Sequence, residues 1–199
     1  MNVDAATVGG IPLGLSNVGD INTDGIDVSL LYSHDLDSYG GLSYSFNSTW
    51  TFENTFQATP TAVDRECVGF FSTNCGNVQP EFQFNHRLTY NYDNYSVSVR
   101  HRFLSATDIE PLAGINDDGS LVFLEEFSSI SSFNYVDLTL SAEFFGNTTM
   151  RLTVDNLLDK DPPEVGSDVG TTTFNSGNTF PTVFDARGRT YTFGVNVRF

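Results

Sequence analysis

Long apolar runs are missing from this sequence. No stretch of about eighteen apolar residues occurs, so the chain encodes no membrane-spanning helix. Basic residues are scarce: nine Lys and Arg stand against 25 Asp and Glu, for a formal net charge of −16. Such a chain lacks the basic footprint that nucleic acid requires, which excludes nucleic acid as a partner. The first twenty residues carry neither a basic segment nor a long apolar core, and do not read as a signal peptide. There is no Gly-x-Ser-x-Gly elbow and no phosphate-cradling glycine loop. The three histidines, His34, His86 and His101, have no His or Cys neighbour at metal spacing. The sequence therefore reads as a non-enzyme with no cofactor and no metal site.

Cysteine is limited to Cys67 and Cys75, eight residues apart in a polar loop. That spacing suggests a disulfide if the chain is exported to an oxidising compartment, and two unpaired thiols if it is not. A bridge closing so small a loop contributes about 2.5 kcal/mol by chain entropy.

What the sequence does have is aromatic residues and alternation. Phe alone occurs 18 times, which suits a pleated sheet better than a helix. Period-two patterning marks strands with two different faces. In the last such stretch, Tyr191, Phe193, Val195, Val197 and Phe199 share one face, while Thr190, Thr192, Gly194, Asn196 and Arg198 share the other. The same pattern runs through 82–92, 95–103, 135–144 and 150–155, and two earlier strands read as roughly 23–34 and 40–57. The fold class is all-β: an antiparallel meander of about seven strands. An eighth in 2–12 is opposed by Gly9, Gly10 and Pro12.

The polar faces carry full charges: Arg87, Arg100, Arg102, Arg151 and Arg198, with Asp27, Asp137, Glu143 and Asp155 as candidate partners. Unpaired charges cost several kcal/mol each in a dry core, so this face is wet. A soluble sheet's solvent side and a barrel lumen both satisfy that condition. Connection lengths separate the two. Turns near 35–39, 93–94 and 146–147 alternate with long loops at 58–80, 104–131 and 157–189. Short turns at one end and long loops at the other is the outer-membrane barrel arrangement. Aromatic residues near the turns, including Tyr90, Tyr92, Tyr95, Phe144 and Phe145, fit an interfacial girdle, and also ordinary strand propensity.

Two loops hold further candidates. Asp108, Glu110, Asp117, Asp118, Glu125 and Glu126 suit a divalent cation, a cationic ligand, or solvent alone. Phe70 and Phe71, between the cysteines, suit either ligand contact or the loop's own packing.

The stretch LTVDNLLDKDPPEV at 152–165 resembles the penultimate-strand signature of TonB-dependent receptors, centred on Asn156, Leu157, Leu158, Asp159 and Lys160. FPTVFDARGRTYTFGVNVRF at 180–199 resembles that family's closing stretch. Asn17-Val-Gly-Asp, Asp24-Gly-Ile-Asp and QPEFQFNHRLTYNY are similar to earlier barrel segments. The resemblance spans 1–199 and implies a segment of a 22-stranded barrel in the outer membrane of a Gram-negative bacterium. It implies a receptor importing a scarce large ligand: a ferric siderophore, a corrinoid or a glycan. Tyr191, Phe193, Gly194, Val195, Val197 and Phe199 would then be the strand read by the barrel-assembly machinery. The implied partners are outer-membrane lipid, that machinery, and the N-terminal barrel and plug, neither of which stands in this sequence. On this expectation the chain is the barrel's end without its plug domain. Two other readings stay open: a small complete barrel with a structural or adhesive role, and a secreted β-sandwich binding domain.

Overall fold

A computed structural model describes residues 18–72, 74–111, 125–165 and 179–199. In chain order the strands are β1 (Asp20–Asp35), β2 (Gly41–Gln57), β3 (Arg65–Glu66), β4 (Phe70–Phe71), β5 (Val78–Gln79) and β6 (Phe82–Tyr92). They continue with β7 (Tyr95–Leu104), β8 (Thr107–Ile109), β9 (Ser129–Ile130), β10 (Phe133–Phe144), β11 (Thr148–Asp155) and β12 (Thr190–Val197). The seven long strands form one antiparallel meander in the order β1-β2-β6-β7-β10-β11-β12. β3 is added to β2, and β5-β4-β8-β9 make a small second sheet.

Register turns the alternation of each strand into two continuous faces. Directly paired residues lie on the same side, so the pairs Leu30↔Phe46, Phe46↔His86, His86↔His101 and His101↔Val136 form one row. The next row toward the tight turns runs Tyr32, Tyr44, Leu88, Val99, Leu138, Val154 and Tyr191. Among the described residues nothing covers this apolar face, and Tyr191 and Phe193 are each 66% exposed. The opposite face carries Ser45, Arg87, Arg100 and Asp137 in one row, and Ser43, Thr89, Ser98, Thr139, Thr153 and Thr192 in the next. The eleven residues of β6 rise roughly 3.3 Å each, and a tilt near 45° leaves about 25 Å of height, that of an apolar band.

The tight turns rely on left-handed backbone. Asp93 has φ 51°, and Phe145 and Gly146 have φ 57° and 69°. At the first turn Gly40 has φ 93°, and a Cβ there would collide with the carbonyl oxygen of Asn91. At the far end of the first hairpin, Asp24 pairs with Glu53 and Gly25 with Thr51, leaving Phe52 as a bulge. Above that bulge the face that carried Ile26 and Trp50 carries Asp24 and Glu53 instead.

Several boundaries differ from the sequence reading, and β10 and β11 each start two residues earlier, at Phe133 and Thr148. β1 starts three residues earlier, at Asp20. The last strand stops at Val197, because β11 begins at Thr148 and the Arg198 amide bonds the turn carbonyl of Asn147. The loops 58–80 and 104–131 are not plain loops, since β3, β4, β5, β8 and β9 lie in them. The 2–12 stretch weighed as an eighth strand, Asn17, Asp117 and Asp118 lie outside the described residues.

The one buried apolar cluster among the described residues sits at the long-loop end. Phe71, Val78, Ile130, Val165, Phe180 and Phe184 pack against Phe133 and Tyr135 of β10. Phe133 and Tyr135 belong to the charged face, so the loops fold back over that face and leave the apolar one bare.

Candidate functional site

The polar face near the long-loop end carries a fixed charge network. Alternation on β7 places Arg100 and Arg102 on this side, and β10 sets Asp137 directly opposite Arg100. Asp137 is 3% exposed. Its carboxylate accepts from Arg100 Nε at 2.8 Å, from Arg102 Nε at 3.1 Å and Nη2 at 3.2 Å, and from the Asn156 amide at 2.9 Å. Asp155 adds a longer contact to Arg100 at 3.7 Å. Arg102 also donates to Asp185 at 3.0 Å and lies 4.8 Å above the Tyr135 ring. The Tyr135 hydroxyl accepts from the Asp185 amide at 2.8 Å. Every lone pair of a buried carboxylate needs such donors, and here four N–H groups supply them.

This network is tied to the turn at 156–160. Asn156 is fully buried, with φ 54°. Its side chain accepts from the Lys160 amide and donates to the Lys160 carbonyl, each at 2.9 Å. Asn and Asp tolerate the left-handed region best among side-chain-bearing residues, and Asp159 shares it at φ 55°. Asp159 then accepts from the Arg189 amide at 2.9 Å, joining the turn to the start of β12. Lys160 Nζ sits 3.8 Å over the Phe133 ring. Leu157 donates its amide to the Val136 carbonyl, while Leu158 is exposed.

The small sheet holds a second buried carboxylate. Glu110 is paired with Arg65 and accepts from Ser72 at 2.6 Å and Asn74 at 3.2 Å. Burial pushes its carboxyl up, but the bonds from Ser72, Arg65 and Asn74 and the Arg65 charge outweigh that and hold it below the usual glutamate range. Cys67 and Cys75 are joined as a disulfide around this segment. Phe71 is fully buried in the loop cluster, 5.9 Å from Phe180, so it packs the loop and offers no ligand contact. Phe70 is only partly buried.

Beside the network lies a cavity of about 620 Å³. Its walls include Asp27, Asn47, Gln83, Asn85 and Arg102, with Thr182 and Val183 across from them.

The structure thus unites Arg100, Arg102, Asp137 and Asp155. Arg87 faces the same way but stands opposite Arg100 and donates to Ser98 at 2.9 Å. Glu143 and Arg151 lie lower on this face, opposite Thr149 and Gly194. Arg198 and Phe199 lie past the end of β12, while Tyr191, Phe193, Val195 and Val197 line its apolar side. Asp27 accepts from Thr49 and takes no part in the charge network. Asp185 and Arg65 were not among the sequence candidates. Both reach partners across more than forty residues of chain, and no periodicity encodes such a contact. His86 and His101 hydrogen-bond to each other at 3.2 Å across β6 and β7, as the alternation alone did not reveal.

No family model and no curated protein matches the chain. Solved structures do. A variant of the ferric enterobactin receptor of Pseudomonas aeruginosa is 18% identical with a TM-score of 0.56, over 89% of this chain and 22% of that one. The siderophore receptor PirA of Acinetobacter baumannii is 17% identical with a TM-score of 0.58, over the same shares. The chain therefore spans 22% of the length of these receptors. The likeness establishes the fold: this meander has the fold of a barrel-wall segment of these receptors.

Proposed function

We propose that the chain is part of the barrel wall of a TonB-dependent receptor in a Gram-negative outer membrane. In that barrel the apolar face meets lipid and the charged face lines the lumen. The observation that carries the reading is the one-sidedness of the sheet. Among the described residues, the long connections pack their buried cluster over the polar face at one end, and the apolar face stays bare. A secreted sandwich would set its second sheet against the apolar side. Here β5-β4-β8-β9 shares its buried cluster with the polar side.

The activity proposed is energised import of a large scarce ligand: a ferric siderophore, a corrinoid or a glycan. The chain's partners would be outer-membrane lipid, the barrel-assembly machinery acting on β12, and the remaining barrel strands and plug of the receptor. The unpaired edges of β1 and β12 among the described residues are where such strands would add. No catalytic role belongs to this reading. Deleting the gene should abolish uptake of one labelled ligand from a panel of ferric siderophores, corrinoids and oligosaccharides, and collapsing the proton-motive force should do the same. Uptake of every panel member unchanged by both treatments contradicts the proposal.

A further inference from the structure

We infer that the lumen-side cavity receives an uncharged, hydroxyl-rich ligand of the oligosaccharide class, and not an anionic ferric chelate. The inference rests on the import reading and narrows its ligand.

The cavity wall carries three amides, Asn47, Gln83 and Asn85, among hydroxyl residues such as Ser29 and Thr49 and apolar ones such as Leu104 and Val183. Asn47 and Asn85 face each other across β2 and β6, and Gln83 stands one row further up, opposite Thr49. The side chains of Gln83 and Asn85 are exposed and make no hydrogen bond to other described residues. Each amide offers two donors and an acceptor. Sugar hydroxyls also donate and accept, so these groups are matched, whereas a polyanion uses only the donors.

The charges around the cavity point the same way. Among the described residues Arg102 is its one basic wall residue, and it is held between Asp137 and Asp185. A guanidinium already neutralised by two carboxylates leaves little field for a third anion. Asp27 adds a negative charge to the wall, with only Thr49 donating to it. The approach is more acidic still. Among the described residues of the connections 58–81, 105–132 and 156–189, eleven Asp and Glu stand against four Lys and Arg. A mouth of that sign slows an incoming anion and leaves a neutral ligand unaffected. A ferric tris-catecholate carries three negative charges, so both the approach and the cavity oppose it.

The test uses outer-membrane vesicles bearing the protein, with maltohexaose, cellohexaose and xylohexaose as neutral probes and ferric enterobactin as the anion. Saturation-transfer NMR should show contact with at least one hexaose. Asn85→Leu and Gln83→Leu should weaken it at least tenfold, and raising the salt should not change it. Asn85→Arg, folded by its heat-modifiable gel mobility, should bind ferric enterobactin better than the parent does. No transfer to any of the three sugars, or parental binding of ferric enterobactin that Asn85→Leu abolishes, overturns the inference. Uptake assays keep the two readings apart. Energised import of ferric enterobactin leaves the receptor reading standing and sinks this one. Absence of any energised import sinks the receptor reading, while the vesicle measurement still decides the ligand class.

Discussion

Asn156 carries three tasks, two through its backbone and one through its side chain. It takes a left-handed backbone, closes the turn to Lys160 through two hydrogen bonds, and presents its amide to Asp137. Asn156→Ala removes both side-chain bonds and places a Cβ residue with no local hydrogen bond at φ 54°, a cost of about 2–3 kcal/mol. Asn156→Gly should restore the backbone share and leave the hydrogen-bond loss, so it falls between parent and alanine. Urea unfolding in detergent micelles measures all three, and equal stability of Asn156→Ala and the parent contradicts this role. The Asn-Leu-Leu-Asp-Lys string was legible in the sequence as a signature, and its local Asn–Lys contact is within reach of turn chemistry. Its link to Asp137 was not legible, because that contact depends on how β10 and β11 are registered. The histidine pair shows the same limit. Alternation places His86 and His101 on the apolar face, but only register sets them side by side.

Among the elements, the long strands were readable because each repeats its pattern over four or more residues. The two-residue strands β3, β4, β5 and β9 carry no period, so the sequence offered only loops there. Glu110, just past β8, ties β3 to the disulfide loop through Arg65, Ser72 and Asn74. Its folded pKa lies below the ordinary value, so its contribution is fully present above the usual glutamate range and is lost as pH falls through the folded value. Amides of Phe70, Phe71, Asp108 and Ile109, which sit in this small sheet, should show lower protection factors, corrected for intrinsic exchange, in moderate acid than at neutral pH, while those of β6 and β7 hold. Glu110→Gln should exchange faster at neutral pH and lose the acid dependence. Hydrogen-exchange mass spectrometry reads both, and a small sheet indifferent to acid in the parent contradicts this assignment.

At the scale of the whole molecule, one sheet separates two environments. One face is a band of Leu, Val, Phe and Tyr that no described segment covers, and the other is a hydroxyl, amide and ion-pair surface partly roofed by its own loops. Large bare apolar faces and long unpaired edges are not stable in water. Loop rhythm and alternation make this division readable in the sequence itself. The roof over the polar face was not readable, since it depends on Phe180, Phe184 and Asp185 meeting β7 and β10 from a distant segment. The central claim, that the apolar face is built for lipid, is tested most directly by analytical ultracentrifugation of the 199-residue chain with and without detergent, followed by circular dichroism. A lipid-facing sheet should aggregate in detergent-free buffer and give a monodisperse, β-rich species in micelles. A monodisperse monomer that melts cooperatively in plain buffer would contradict that claim.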